Sequence, residues 1–118
     1  MNQKYTCYQL GRSVVGHVIP LDNLRLEISS DAFYGLPYHH VELTKFESAQ
    51  GVDTITLFCL NRTVRIRGKD LRNLGILLQA RSVESITPLP ERYASLPFGE
   101  DGCVKSIEII EHKERNHD

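Results

Sequence analysis

Leu24, Leu26 and Ile28 alternate with Arg25, Glu27 and Ser29, the two-residue period of a half-buried strand. Two less regular strands are predicted before it. One is Tyr5–Leu10, closed by Gly11 and Arg12; the other is Ser13–Ile19, ended by Pro20. Ser30–Pro37 (SDAFYGLP) predicts a turn or loop punctuated by Gly35 and Pro37, with Phe33, Tyr34 and Tyr38 gathered around it. Alternation returns over His40–Phe46. Val41 and Leu43 form one row, and His40, Glu42 and Thr44 the other. Glu47–Asp53 is a mostly polar loop containing Gly51.

The sharpest pattern is a hairpin in which TITLFCL and TVRIRGK flank Asn61-Arg62. Asn tolerates the left-handed backbone of a tight turn. A two-residue turn sets Leu60 against Thr63, Cys59 against Val64 and Leu57 against Ile66. Ile55, Leu57, Cys59, Val64 and Ile66 then share the buried face, and a one-residue slip would turn one apolar set outward. The other face carries Thr54, Thr56 and Phe58 against Arg65, Arg67 and Lys69. Phe58 falls across from Arg65, an exposed cation–π pair worth about 0.5–1 kcal/mol.

Asp70 is placed to cap a helix over Leu71–Arg81, in which Leu71, Leu74, Leu77 and Leu78 make one buried stripe. Gly75 weakens that helix by about 1 kcal/mol relative to Ala and permits a close approach to a sheet. Val83–Thr87 reads as a short strand, Pro88–Gly102 as a proline-rich loop, and Cys103–Ile110 as the last strand. Residues 1–110 are expected to form one domain, and the polar tail 111–118 to fray. The fold class is α+β, mainly β: an antiparallel meander forming a small barrel or half-barrel with one helix. Strand count and the central hairpin are loosely similar to small Sm-like and SH3-like barrels or a PH-like sheet, an analogy that carries no function.

A chain of 118 residues is long enough to bury a core without disulfides or metal. Its net charge of -1 gives no whole-molecule basic field for nucleic acid or acidic lipid. No apolar run approaches the roughly 20 residues that cross a bilayer, and no signal-peptide pattern opens the chain. The expectation is a soluble, cytoplasmic protein with no membrane contact. Cys7, Cys59 and Cys103 are odd in number and widely spaced, without a CxxC pair. This argues for reduced thiols, against a thiolate zinc site, and for Cys59 as a small core hydrophobe.

Three constellations could carry function. The segment from Arg62 to Arg81 has a net charge of +5, leaving -6 for the rest of the chain. Within it Arg62, Arg65, Arg67 and Lys69, with Phe58, could hold phosphates and stack a base, or could be a solvated, ion-paired face. Phe33, Tyr34 and Tyr38, with Tyr93 and Phe98 from the proline-rich loop, could form an aromatic interface or plug a barrel end. His40 and Glu42, two apart on a strand, would lie about 7 Å apart on one face, as two metal ligands or as an ordinary polar row.

No GxSxG, no Cys near a His in sequence and no phosphate-cradling glycine loop supports nucleophilic catalysis. The sequence points to a non-enzymatic binding or assembly domain without a cofactor. It is expected to form a homo-oligomer, or to bind a protein partner, through an edge strand or the aromatic loop. The alternatives are single-stranded nucleic-acid binding through the basic hairpin and, third, a metal-dependent enzyme at His40 and Glu42.

Overall fold

The structure, a computed structural model, describes residues 7–11, 13–14, 17–89 and 102–112. Ten strands, a short 3-10 turn and one helix follow in the order β1 (Tyr8–Leu10), β2 (Ser13–Val14), β3 (His17–Val18), β4 (Asn23–Ser29), β5 (Ala32–Pro37), the turn Tyr38–His40, β6 (Val41–Ala49), β7 (Val52–Cys59), β8 (Arg62–Lys69), α1 (Arg72–Gln79), β9 (Val83–Ile86) and β10 (Cys103–Glu111). They form two four-stranded sheets, ordered β1-β9-β4-β5 and β10-β8-β7-β6, beside the small β2-β3 ribbon. The domain is mainly β with one helix. Its sheets stay open, so a half-barrel or sandwich describes it and a closed barrel does not.

The two sheets and the helix share one core. Leu24, Leu26, Leu36, Val83 and Ile86 come from the first sheet, Ile55, Leu57, Val64, Ile66 and Val104 from the second, and Leu71, Leu74 and Leu78 from α1. The helix packs on the second sheet without needing glycine at position 75, where a Cβ would sit in ordinary contact, 3.7 Å from Ile55 Cδ1 and 4.0 Å from Phe46 Cβ.

The hairpin β7-β8 pairs Phe58 with Thr63, Leu57 with Val64 and Ile55 with Ile66. This is two residues off the register predicted from a turn at Asn61-Arg62. Neither of those residues has the positive φ that a tight primed turn requires, so the chain turns through a wider loop. A shift of two preserves the pleat, and Ile55, Leu57, Val64 and Ile66 are buried as expected. It also places Thr56, not Phe58, opposite Arg65.

Three other expectations are corrected. Ala32–Pro37 is a strand rather than a loop, paired along β4 from Ala32 opposite Ser29 to Pro37 opposite Asn23. The 47–53 loop shrinks to the two-residue turn Gln50-Gly51, with φ 54 and 78. Both values are positive, as in a primed hairpin turn. In β6 a register irregularity between Val41 and Leu43 reverses the expected facing. Leu43 points outward beside Phe58, while Thr44 and Phe46 pair with the inward-facing Leu57 and Ile55.

The helix begins one residue late. Asp70 takes a left-handed φ of 56 where β8 ends, and Leu71 becomes the N-cap without a side-chain cap bond. Asp53 of β7 supplies the missing acceptor, its Oδ2 receiving the Leu71 N–H at 3.0 Å. At the other end Arg81 adopts φ 58, Ser82 N–H donates to Leu77 O, and Arg81 N–H donates to Leu78 O, each at 3.0 Å. These are the paired bonds of a Schellman cap with Arg in the usual glycine position.

Candidate functional site

Of the predicted aromatic group, Phe33 and Tyr34 stand side by side on β5, exposed to 63% and 44%. Phe33 shares the outer face with Gly35, opposite Glu27 and Arg25 of β4, and Tyr34 shares the inner face with Leu26. Above Gly35 is open space, since a Cβ there would meet nothing within 4 Å. Tyr38 does not join this patch. It is buried, its hydroxyl donates to Val83 O at 2.6 Å, and burial pushes its pKa up to about 12. Tyr93 and Phe98 lie outside the described residues.

β5 ends the first sheet with one edge unpaired among the described residues. Among the described residues, the other three edges of the two four-stranded sheets carry devices that discourage strand addition. β6 has Glu42, Lys45, Glu47 and an irregular register at Val41/Leu43. β10 has Lys105, Glu108, Glu111 and an irregularity at Val104/Ser106. β1 is three residues long and irregular at Gln9/Leu10. β5, reading AFYGLP, carries no charge and is blunted only at its end by Pro37.

The basic hairpin lies on the outer face of the second sheet. Reading across β10, β8, β7 and β6, one row is Ser106, Arg67, Thr54 and Glu47. The next is Glu108, Arg65, Thr56 and Lys45, and the third is Ile110, Thr63, Phe58 and Leu43. Arg65 pairs with Glu108 and Lys45 with Glu47, each at 3.6 Å and each partly exposed. Exposed pairs of this kind contribute about 0–1 kcal/mol. Phe58 therefore belongs to an apolar row with Leu43 and Ile110, next to the arginines rather than among them. Arg62 faces Glu111, on the opposite side of the pleat from Arg65, and Lys69 lies at the far end of β8.

His40 and Glu42 do not share one strand face. His40 closes the 3-10 turn, and Glu42 is the residue skipped in the β6 register. The His40 ring instead meets His39 edge-on, with centroids 4.5 Å apart. Among the described residues no three His, Cys, Asp or Glu side chains come together as a group that could hold a metal ion. A pocket of about 280 Å³ opens between the start of β6 and the end of α1, over Tyr38, Leu57 and Leu78.

Sequence spacing also hides a pairing of cysteines. Cys7 and Cys103 are both buried, and their sulfurs approach the same Val104 carbonyl at 3.9 and 4.0 Å. Burial, with the Cys103 thiol beside it, pushes the Cys7 thiol up to about 11, so Cys7 is held protonated in the core. Cys59 is half-buried, and burial raises its pKa as well.

No protein-family model, curated protein or solved structure matches the chain. No helix among the described residues is long and apolar enough to cross a membrane.

Proposed function

We propose that this chain is a small non-enzymatic binding and assembly domain that associates with itself through the free edge of β5. The observation that supports this most is the contrast between edges: three carry charge, irregularity or shortness, and β5 presents Phe33 and Tyr34 on an uncharged strand. Backbone N–H and C=O groups along such an edge are ready to extend the sheet. Exposed aromatics add buried area at low entropic cost. The test is solution mass by light scattering behind a sizing column. A defined multimer that Phe33→Lys converts to monomer supports the reading, and a wild-type monomer at every concentration overturns it.

A second reading, single-stranded nucleic-acid binding, draws on one observation: Arg65, Arg67 and Lys45 share one sheet face with Phe58. Glu47 and Glu108 on the same face weigh against it. Anisotropy titration with single-stranded RNA and DNA at low salt decides, since phosphate contacts would give steep salt dependence and a flat titration would remove the idea.

A further inference from the structure

Resting on that reading, we infer that the strand added at the β5 edge is β5 of a second copy, antiparallel and centred on Tyr34, so that each Phe33 ring covers the other copy's Gly35. Two identical antiparallel strands with the same sheet face upward are related by a two-fold axis perpendicular to the sheet. A residue can then oppose only itself or one an even number of positions away, because facing alternates with every residue. Two registers are central to β5. Centred on Tyr34, Phe33 opposes Gly35 of the second copy, twice. Centred on Gly35, the two glycines oppose each other and Phe33 faces Pro37.

The Tyr34 register matches shape to shape. Phe33 is 63% exposed, and the space over Gly35 on the same face is empty. One chain cannot join them, because residues two apart on a strand lie about 7 Å apart and point the same way. A second copy running antiparallel brings ring and glycine face to face. An aromatic covering a cross-strand glycine is a known way of compensating the missing side chain.

The neighbouring positions fit too. Gly35 lies opposite Arg25, and Phe33 lies opposite Glu27. Across the junction the outer row therefore reads Arg25, Gly35, then Phe33 and Glu27 of the second copy, and each Arg25 keeps its 2.8 Å pair with Glu27 of its own chain, so no charge is left to repel. On the inner face the two Tyr34 rings meet, each flanked by its own Leu26. β5 itself brings no charge to repel its copy.

Register is read by cysteine cross-linking in the full chain. Directly opposite residues have Cβ atoms about 4.5–5.5 Å apart, within reach of a disulfide after a small adjustment. In the Tyr34 register the two Gly35 positions are offset by two residues, about 7 Å along the strands. Under oxidised glutathione, Tyr34→Cys should give a covalent dimer on a non-reducing gel, and Gly35→Cys and wild type should not. Gly35→Leu, which fills the open space without a backbone clash, should keep the wild-type circular dichroism and lose the dimer. Cross-linking through Gly35→Cys instead would overturn the register and leave self-association standing. Dimers in light scattering with no cross-link from either variant would move the contact off β5 and overturn this inference. A monomeric wild type would overturn self-association itself.

Discussion

Leu21 and Arg81 bond to each other twice. The Leu21 N–H donates to the Arg81 carbonyl at 2.9 Å, and Arg81 Nε donates to the Leu21 carbonyl at 3.0 Å. The same guanidinium lies 6.0 Å from the Tyr38 ring centroid and 3.4 Å from Asp22 Oδ1. An arginine therefore occupies the left-handed helix cap where glycine would be easier, and its side chain ties the end of α1 to the segment leading into β4.

That double role separates two substitutions. Arg81→Ala removes the side-chain bonds and keeps the left-handed strain, so it should destabilise by about 1–2 kcal/mol. Arg81→Gly removes the same bonds and relieves the strain, and should recover about 1 kcal/mol of that loss. Urea denaturation of the three proteins measures both. Equal losses would mean the cap is unstrained.

Asp53 predicts a dependence on acid. Hydrogen bonds from Ser48 and from the Leu71 and Asp70 N–H groups hold its carboxyl below its ordinary value of 3.8. A carboxylate with a lowered folded pKa stabilises above the ordinary value and loses that contribution as pH falls through the folded one. Asp53→Ala should cost about 1 kcal/mol near neutrality, as for other lost helix caps. The melting-temperature gap from wild type should narrow below about pH 4. A gap independent of pH would rule out the charge of Asp53 as the cause.

Alkali should act through two buried groups. Tyr38 is raised from 10.0 to about 12 and Cys7 from 9.0 to about 11, mainly by burial. Both stay protonated longer in the folded chain, so unfolding releases protons between the unfolded and folded values. Stability falls with rising pH, from about 9 for Cys7 and about 10 for Tyr38. Tyr38→Phe should cost about 1–2 kcal/mol at neutral pH by leaving the Val83 carbonyl without its partner. It should also flatten the slope above pH 10, a change visible in urea midpoints measured across that range.

Gly68 is predicted to be the least replaceable glycine of β8-β10. A Cβ there would fall on the Cys103 carbonyl, with the Val104 Cα at 3.0 Å, beside the irregular start of the β8-β10 pairing. Backbone atoms cannot step aside as a flexible side chain would. Gly68→Ala should cost roughly 3 kcal/mol or more. A melting temperature near wild type would show that β10 can shift.

These outcomes also show what the sequence made legible. Residues Ile55, Leu57, Val64 and Ile66 declare their buried face because strand periodicity survives any even change of register. A register two residues off therefore hid nothing about the core face, but it misassigned every cross-strand partner, Phe58–Arg65 among them. Leu43 defeats the same logic, because one irregular residue after Val41 in β6 reverses the facing of every residue that follows. Ala32–Pro37 contains glycine, proline and two exposed aromatics, which locally resemble a loop; only pairing with β4 makes it a strand. The helix cap misleads for a similar reason. Asp70 is adjacent in sequence, but Asp53 arrives from another strand. The edge singled out for β5 could not be read at all before the sheet order was known. Phe33 and Tyr34 were nonetheless visible as candidates from their type and spacing.

The parallel pairing of β4 with β9, Leu26 opposite Ile86, has a consequence in time. The second sheet is assembled largely from hairpins between strands adjacent in the chain. The first is complete only when β9, which follows β5 through α1 in the chain, takes its place between β1 and β4. Long-range strand pairing of this kind is slow relative to local hairpins. Amides of β7 and β8 are thus expected to gain protection from exchange before those of β1 and β9 in pulsed hydrogen-exchange refolding. A nascent chain that has not yet delivered Val83–Ile86 holds β4 open on one side and β5 on the other. During that interval β4 exposes an edge that β9 covers in the finished sheet.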